Sequence, residues 1–103
     1  MPAALSSAMA LVLDALDRGC RHGFDILDTT GLASGTVYPI LRRLEQDRLA
    51  SSRWESAKTA HEELRPPRRY YELTRAGHER VAEARARFPF LAAAGHRARP
   101  RRA

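Results

Sequence analysis

The stretch Ser34 to Leu44, SGTVYPILRRL, decides how this chain folds. At about 100° per residue, Val37, Ile40, Leu41 and Leu44 fall on one stripe of a helix, while Gly35, Pro39, Arg42, Arg43 and Gln46 fall on the other. One face must bury, and an arginine-bearing face is left to meet a partner. Ser34 has the chemistry of an N-cap, and a helix start aims unpaired N–H groups and a partial positive charge outward, which suits a phosphate. Pro39 cannot donate to the carbonyl of Gly35 and is expected to bend the first turn.

Upstream, Ser6 or Ser7 can cap a first helix with the stripe Met9, Val12, Leu13 and Leu16, ended by Gly19. Phe24 and Leu27 are expected to anchor a short second helix starting near His22 or Gly23. Thr30 and Gly31 make the turn before Ser34. Downstream, Leu49–Glu55 reads as a strand and Arg68–Leu73, RRYYEL, as its partner, with Arg69, Tyr71 and Leu73 on one face and Tyr70 and Glu72 on the other. Leu73 should point inward, and Tyr71 with it. Between them Ser56–Pro67 is expected to be a long loop with a mobile tip. Thr74 caps a fourth helix to about Arg87 with Val81, Ala84 and Phe88 at helical spacing, and Pro89 should end or kink it.

A chain of 103 residues reads as one domain with a modest core, a size at which dimerisation adds stability. The opening MPAALSSAMALVLDAL has no basic region before its apolar run, which Asp14 ends too early for a signal-peptide core or a membrane span, so a cytoplasmic protein away from membranes is expected. The single Cys20 excludes an internal disulfide and reads as an inert thiol. The four histidines are scattered without metal-ligand spacing, and there is no cysteine pair and no phosphate-cradling glycine loop. Asp14 and Asp17 read as solvated surface rather than as an acid and base pair. The expectation is therefore a protein without catalysis, metal or cofactor.

The net charge of +6 is unevenly spread. Residues 1–73 contain 10 basic and 10 acidic side chains, whereas residues 74–103 contain 8 and 2. Clustering, not total charge, favours nucleic acid: Arg42 and Arg43 share the free helix face, and Arg65, Arg68 and Arg69 gather on the approach to the second strand, with Lys58 near them in sequence. Asp14, Asp17, Asp25 and Asp28 would then have to face away from the phosphates.

The segments GLASGTVYPILRRLEQDRL (31–49), Trp54 and RRYYELTRAG (68–77) resemble the PadR family of winged helix-turn-helix transcriptional regulators, a likeness extending over residues 8–87. The resemblance implies a mainly α fold with a small β-hairpin: three helices, a two-stranded wing and a C-terminal dimerisation helix. It divides the chain into a DNA-binding domain (1–74), a helical dimerisation segment (75–95) and a basic disordered tail (96–103). It implies a homodimeric repressor on double-stranded DNA with an inverted-repeat operator. Thr36, Tyr38, Pro39 and Arg42 would lie at base edges in the major groove, Ser34 and Arg43 at phosphates, and Lys58, Arg65, Arg68 and Arg69 on the wing at the adjacent backbone or minor groove. Tyr38 can instead pack on the second helix.

Release by a small aromatic effector near the dimer interface is also implied, with Trp54, Phe88 and Phe90 as speculative candidate contacts, although Trp54, at the family's usual strand position, reads first as structural. Pro89 interrupts the family's long dimerisation helix, leaving Phe88–Ala94 as a short apolar segment for the partner. The second reading of the chain is a winged-helix protein-interaction module whose basic tail binds nucleic acid or an acidic partner non-specifically.

Overall fold

The computed structural model describes residues 4–95. The tail expected to be disordered, 96–103, lies outside them. Six helices and one hairpin follow in the order α1 (Ser7–Asp17), α2 (Gly23–Thr30), α3 (Ser34–Gln46), β1 (Ala50–Trp54), α4 (Ala57–Glu62), β2 (Arg69–Leu73), α5 (Arg75–Arg87) and α6 (Phe90–Gly95). The architecture is the expected one of mainly helix with a small two-stranded wing.

Local chemistry explains most of these boundaries. Ser6 caps α1 by accepting from the Met9 N–H at 3.1 Å, and Thr74 caps α5 by accepting from the Gly77 N–H at 3.1 Å. Gly31 closes α2 in the left-handed conformation, φ 75°, where a side chain would be strained. Pro89 follows the end of α5, and the chain turns into α6.

The core is one cluster. Met9, Val12, Leu13 and Leu16 of α1 meet Ile26 of α2, Val37, Leu41 and Leu44 of α3, Leu49, Ala50 and Leu73 of the hairpin, and Val81, Ala84 and Leu91 of α5 and α6. Ile40 and Tyr71 pack at its edge, as their faces require. The anchor of α2 differs from expectation: Ile26 is fully buried and Leu27 partly, whereas Phe24 is 72% exposed. In a two-turn helix the residues three apart that meet a core are chosen by how it docks on α1 and α3, not by its own pattern.

The strands pair antiparallel with Ala50 opposite Leu73 and Trp54 opposite Arg69. A third, very short element joins them, because the Tyr71 N–H donates to the Arg21 carbonyl at 2.7 Å and His22 bridges Tyr70. The segment between the strands is not the plain loop expected. Ser56 accepts from the Thr59 N–H at 3.1 Å and starts α4, whose Ala60 is buried. Leu64, φ 57°, then reverses the chain toward Pro66 and Pro67.

The C-terminal helices share the core of the domain that precedes them. Leu91 is fully buried against this same chain, so part of the apolar segment expected for a partner is already used, while Phe90 remains 46% exposed. Arg85 ties α5 to α1 by donating to Asp14 at 2.7 and 2.9 Å and pairing with Asp17 at 2.9 Å. Arg18 reaches the other Asp14 oxygen at 2.8 Å, and His78 lies 3.2 Å from Asp17. The two aspartates expected to be solvated surface thus form a clasp between helices, and Asp14 is buried. Among the described residues, no helix is long and apolar enough to cross a membrane.

Candidate nucleic-acid interface

Helix α3 buries Val37, Leu41 and Leu44 and turns Ser34, Gly35, Tyr38, Pro39, Arg42 and Arg43 to the exterior, with Thr36 half-buried. The helix runs unbroken through Pro39. Its start corrects one expectation. Ala33, not Ser34, is the N-cap, no side chain caps the turn, and Ser34 is the first helical residue. Ala33 has the extended backbone of a cap, φ −73° and ψ 153°, and its carbonyl accepts the first helical bonds from Thr36 and Val37 at 2.9 and 3.0 Å. A helix opened by alanine has no hydroxyl competing for its first N–H groups.

Tyr38 packs on α2 and keeps part of its ring exposed. It is 41% exposed, yet its ring lies so close over Gly23 that a β-carbon there would overlap it. Gly23 sits at the start of α2, where the His22 ring nitrogen Nδ1 accepts from the Asp25 N–H at 3.4 Å and Nε2 faces the Asp25 carboxylate at 3.4 Å. The absence of a side chain at Gly23 therefore sets how closely α2 and the exposed face of α3 approach. Asp25 is turned to His22, and Asp14 and Asp17 are held in the α1–α5 seam.

Arg43 pairs with Asp47 one turn on at 3.4 Å while staying half-exposed, and Arg42 is exposed. On the wing the arginines differ more than their sequence suggests. Arg65 donates both terminal nitrogens to Glu55, at 2.6 and 2.8 Å. Glu55 also accepts from the Arg68 N–H at 3.2 Å and the Tyr70 hydroxyl at 3.0 Å. The Arg65 bonds act most strongly, burial opposes them, and the bonds from Arg68 and Tyr70 add to the first, so that the Glu55 carboxyl falls from 4.5 to about 2. This clasp closes the loop end of the hairpin, one step beyond the Trp54–Arg69 pair.

Arg69 donates to the Ser52 hydroxyl at 2.9 Å, reaches Glu45 of α3 at 3.4 Å, and stands 5.2 Å from the Trp54 ring centre. It thereby joins the wing to the exposed helix. Lys58 lies on α4, exposed. On the opposite face Tyr70 is flanked by the guanidinium groups of Arg21 and Arg53 at 5.3 and 5.4 Å.

Trp54, 62% exposed, stands at the end of β1 in a cleft of about 630 Å³ between the wing and the first turns of α2 and α3. Phe88 and Phe90 pack edge to face at the α5–α6 junction, ring centres 6.0 Å apart, and do not line that cleft. Among the described residues, Phe88 and Phe90 thus stand apart from the cleft that Trp54 lines. Sequence reasoning missed Glu55, Phe24 and the pair Arg21 and Arg53. An acid directly after a strand, ten residues before an arginine, is too common a pattern to single out.

Residues 12–83 match the family described as the transcriptional regulator PadR-like family. Among solved structures, a PadR-like transcription factor from Bacteroides fragilis is 28% identical, with 86% of each chain covered and a TM-score of 0.63. A Streptococcus transcriptional regulator is 25% identical over 82% of this chain and 84% of that one, TM-score 0.61. A PadR family transcription regulator from Clostridium difficile is 21% identical over 89% and 97%, TM-score 0.69, a likeness of fold. No curated protein matches the chain.

Proposed function

The chain belongs to the PadR-like family of transcriptional regulators, and on that premise we propose that it binds double-stranded DNA in a sequence-dependent way, as a homodimeric repressor on an inverted-repeat operator. The observation that carries the reading is the exposed face of α3, where Tyr38, Pro39, Arg42 and Arg43 stand beside a wing joined to the same helix through Arg69 and Glu45. A helix buried on Val37, Leu41 and Leu44 has only this face to offer a major groove.

In this reading Arg42 reaches base edges, Thr36, Tyr38 and Pro39 make base-edge or thymine-methyl contacts, and Ser34 and Arg43 hold phosphates near the uncapped helix start. Arg68 and Lys58 reach the backbone flanking the groove. Arg65 and Arg69 act chiefly by holding the wing, since Glu55, Ser52 and Glu45 already occupy their donors. The segment 75–95, part of whose apolar surface is used internally, contributes its exposed face, including Phe90, to the dimer. An effector that favours a dimer with wrongly spaced reading helices would release the operator.

The test is selection of genomic duplex fragments by the purified protein at near-physiological salt, followed by sequencing. Enrichment of an inverted repeat with half-sites about one helical turn apart supports the reading. Arg42→Ala should then cost about 1–3 kcal/mol at one base position and relax preference there. Deletion of 96–103 should weaken all duplexes alike and flatten the salt dependence. Random fragments, lost on tail deletion and indifferent to Arg42→Ala, would overturn the reading in favour of a protein-interaction module with a non-specific basic tail.

A further inference from the structure

Gly23 is the first residue of α2 and takes helical backbone. Among the described residues the glycines with positive φ are Gly19 and Gly31, so no backbone constraint calls for glycine at this position. Glycine is also a poor helix former. What the missing β-carbon provides is space, because an added one would overlap the Tyr38 ring at Cε1, Cζ and the hydroxyl oxygen. Gly35, on α3 itself, stands in open space by contrast.

Tyr38 is therefore seated between two helices. Its backbone belongs to α3 next to Pro39, its ring rests on the start of α2, and it lines the open cleft that faces the wing. Among the described residues its hydroxyl makes no hydrogen bond, although a phenol both donates and accepts. A ring held in this way carries the hydroxyl to one point beside the exposed face of α3. A loose tyrosine would lose side-chain freedom on binding, whereas a seated one has little left to lose.

We propose that Gly23 is a positioning residue for operator choice: by seating the Tyr38 ring it fixes where the Tyr38 hydroxyl meets the duplex, and so sets the base preference at one position of each half-site. The role in operator choice rests on the DNA reading above, whereas the seat does not. In Gly23→Ala the overlap falls on the far end of a flexible side chain, so the variant turns the ring off α2 and keeps the fold. Its Tm should stay within a few degrees of the parent.

The seat is read by NMR on the full chain, since a tyrosine ring lying over Gly23 displaces the Gly23 α-proton resonances by its ring current. Tyr38→Leu should return them to ordinary glycine values, and Tyr38→Phe should leave them in place. Operator choice is read by selection from randomised duplexes, followed by titration of the preferred one. Gly23→Ala, Tyr38→Leu and Tyr38→Phe should relax preference at the same base position, each weakening the preferred duplex about tenfold, the worth of one hydrogen-bonded contact. Binding to unrelated duplexes, and its salt dependence, should hold, because phosphate contacts carry them. Gly23→Ala combined with Tyr38→Leu should bind no more weakly than Tyr38→Leu alone, since the glycine acts only through the ring.

Gly23 resonances indifferent to Tyr38→Leu would overturn the seat. Losses that multiply in the double variant, relaxed preference at different base positions, or an equal drop on every duplex would refute the coupling to operator choice. A Tyr38→Phe protein that selects as sharply as the parent would exclude the hydroxyl from it. A parent that selects no preferred duplex, while Tyr38→Leu still moves the Gly23 resonances, would remove the DNA reading and the role in operator choice with it, and leave the seat standing.

Discussion

Arg85→Ala probes what keeps the C-terminal helices on the domain. Arg85 donates twice to Asp14 and pairs with Asp17, and the Asp14 side chain is only 7% exposed. Burial disfavours the Arg85 cation, yet the two carboxylates outweigh it and raise its pKa above the ordinary value. Breaking a fully buried pair costs about 3–5 kcal/mol, because an uncompensated charge remains. Two features reduce that here: Arg85 is itself 37% exposed, and Arg18 stays on Asp14 at 2.8 Å. The expected cost is about 2 kcal/mol, measured by urea unfolding, or a Tm lower by roughly 8–16 °C for a domain of this size. The double variant Asp14→Leu with Arg85→Met leaves no buried charge and should recover to within about 1 kcal/mol of the parent. A loss under about 0.5 kcal/mol in the single variant, the range of ordinary surface changes, would refute the clasp. So would a double variant as unstable as the single one.

Two further outcomes follow from the geometry. At Gly77 an added β-carbon would fall on the backbone carbonyl of Leu49, which also accepts from the Thr74 N–H at 3.0 Å and cannot rotate away. Gly77→Ala gains about 1 kcal/mol of helix propensity and loses more to overlap, so thermal melting should show a net loss of about 1–2 kcal/mol, and an unchanged or higher Tm would contradict it. For Glu55, whose folded pKa of about 2 lies below its ordinary 4.5, the contribution to stability is complete above pH 4.5 and drains away as pH falls toward 2. Glu55→Gln should be less stable at neutral pH and flatten that part of the pH–stability curve; parallel curves for the two proteins would remove the clasp as the cause.

Several elements were legible because their causes are local. The stripe of Val37, Leu41 and Leu44, the caps Ser6 and Thr74, the left-handed turn at Gly31 and the alternation of Tyr71 and Leu73 each depend on residues within a turn or a strand length. Helix α4 escaped notice because six residues carry too little periodicity to register, even with Ser56 as its cap. The exposed arginine face was legible for the same reason as the stripe it opposes.

What the amino-acid sequence determined by itself was therefore the helix-turn-helix with its hairpin, the face of α3 that stays in water, and the likeness to a family of regulators. The tertiary structure decided which arginines are free. Arg65 meets Glu55 across 10 residues, Arg69 meets Glu45 across 24, and Arg85 meets Asp14 across 71. It also decided that Phe24, Tyr38 and Trp54, from three elements, share a cleft. Periodicity assigns a side chain to a face of its own helix or strand. Only the docking of those elements determines what that face meets, and the free energy of a charge or a ring depends on that neighbour.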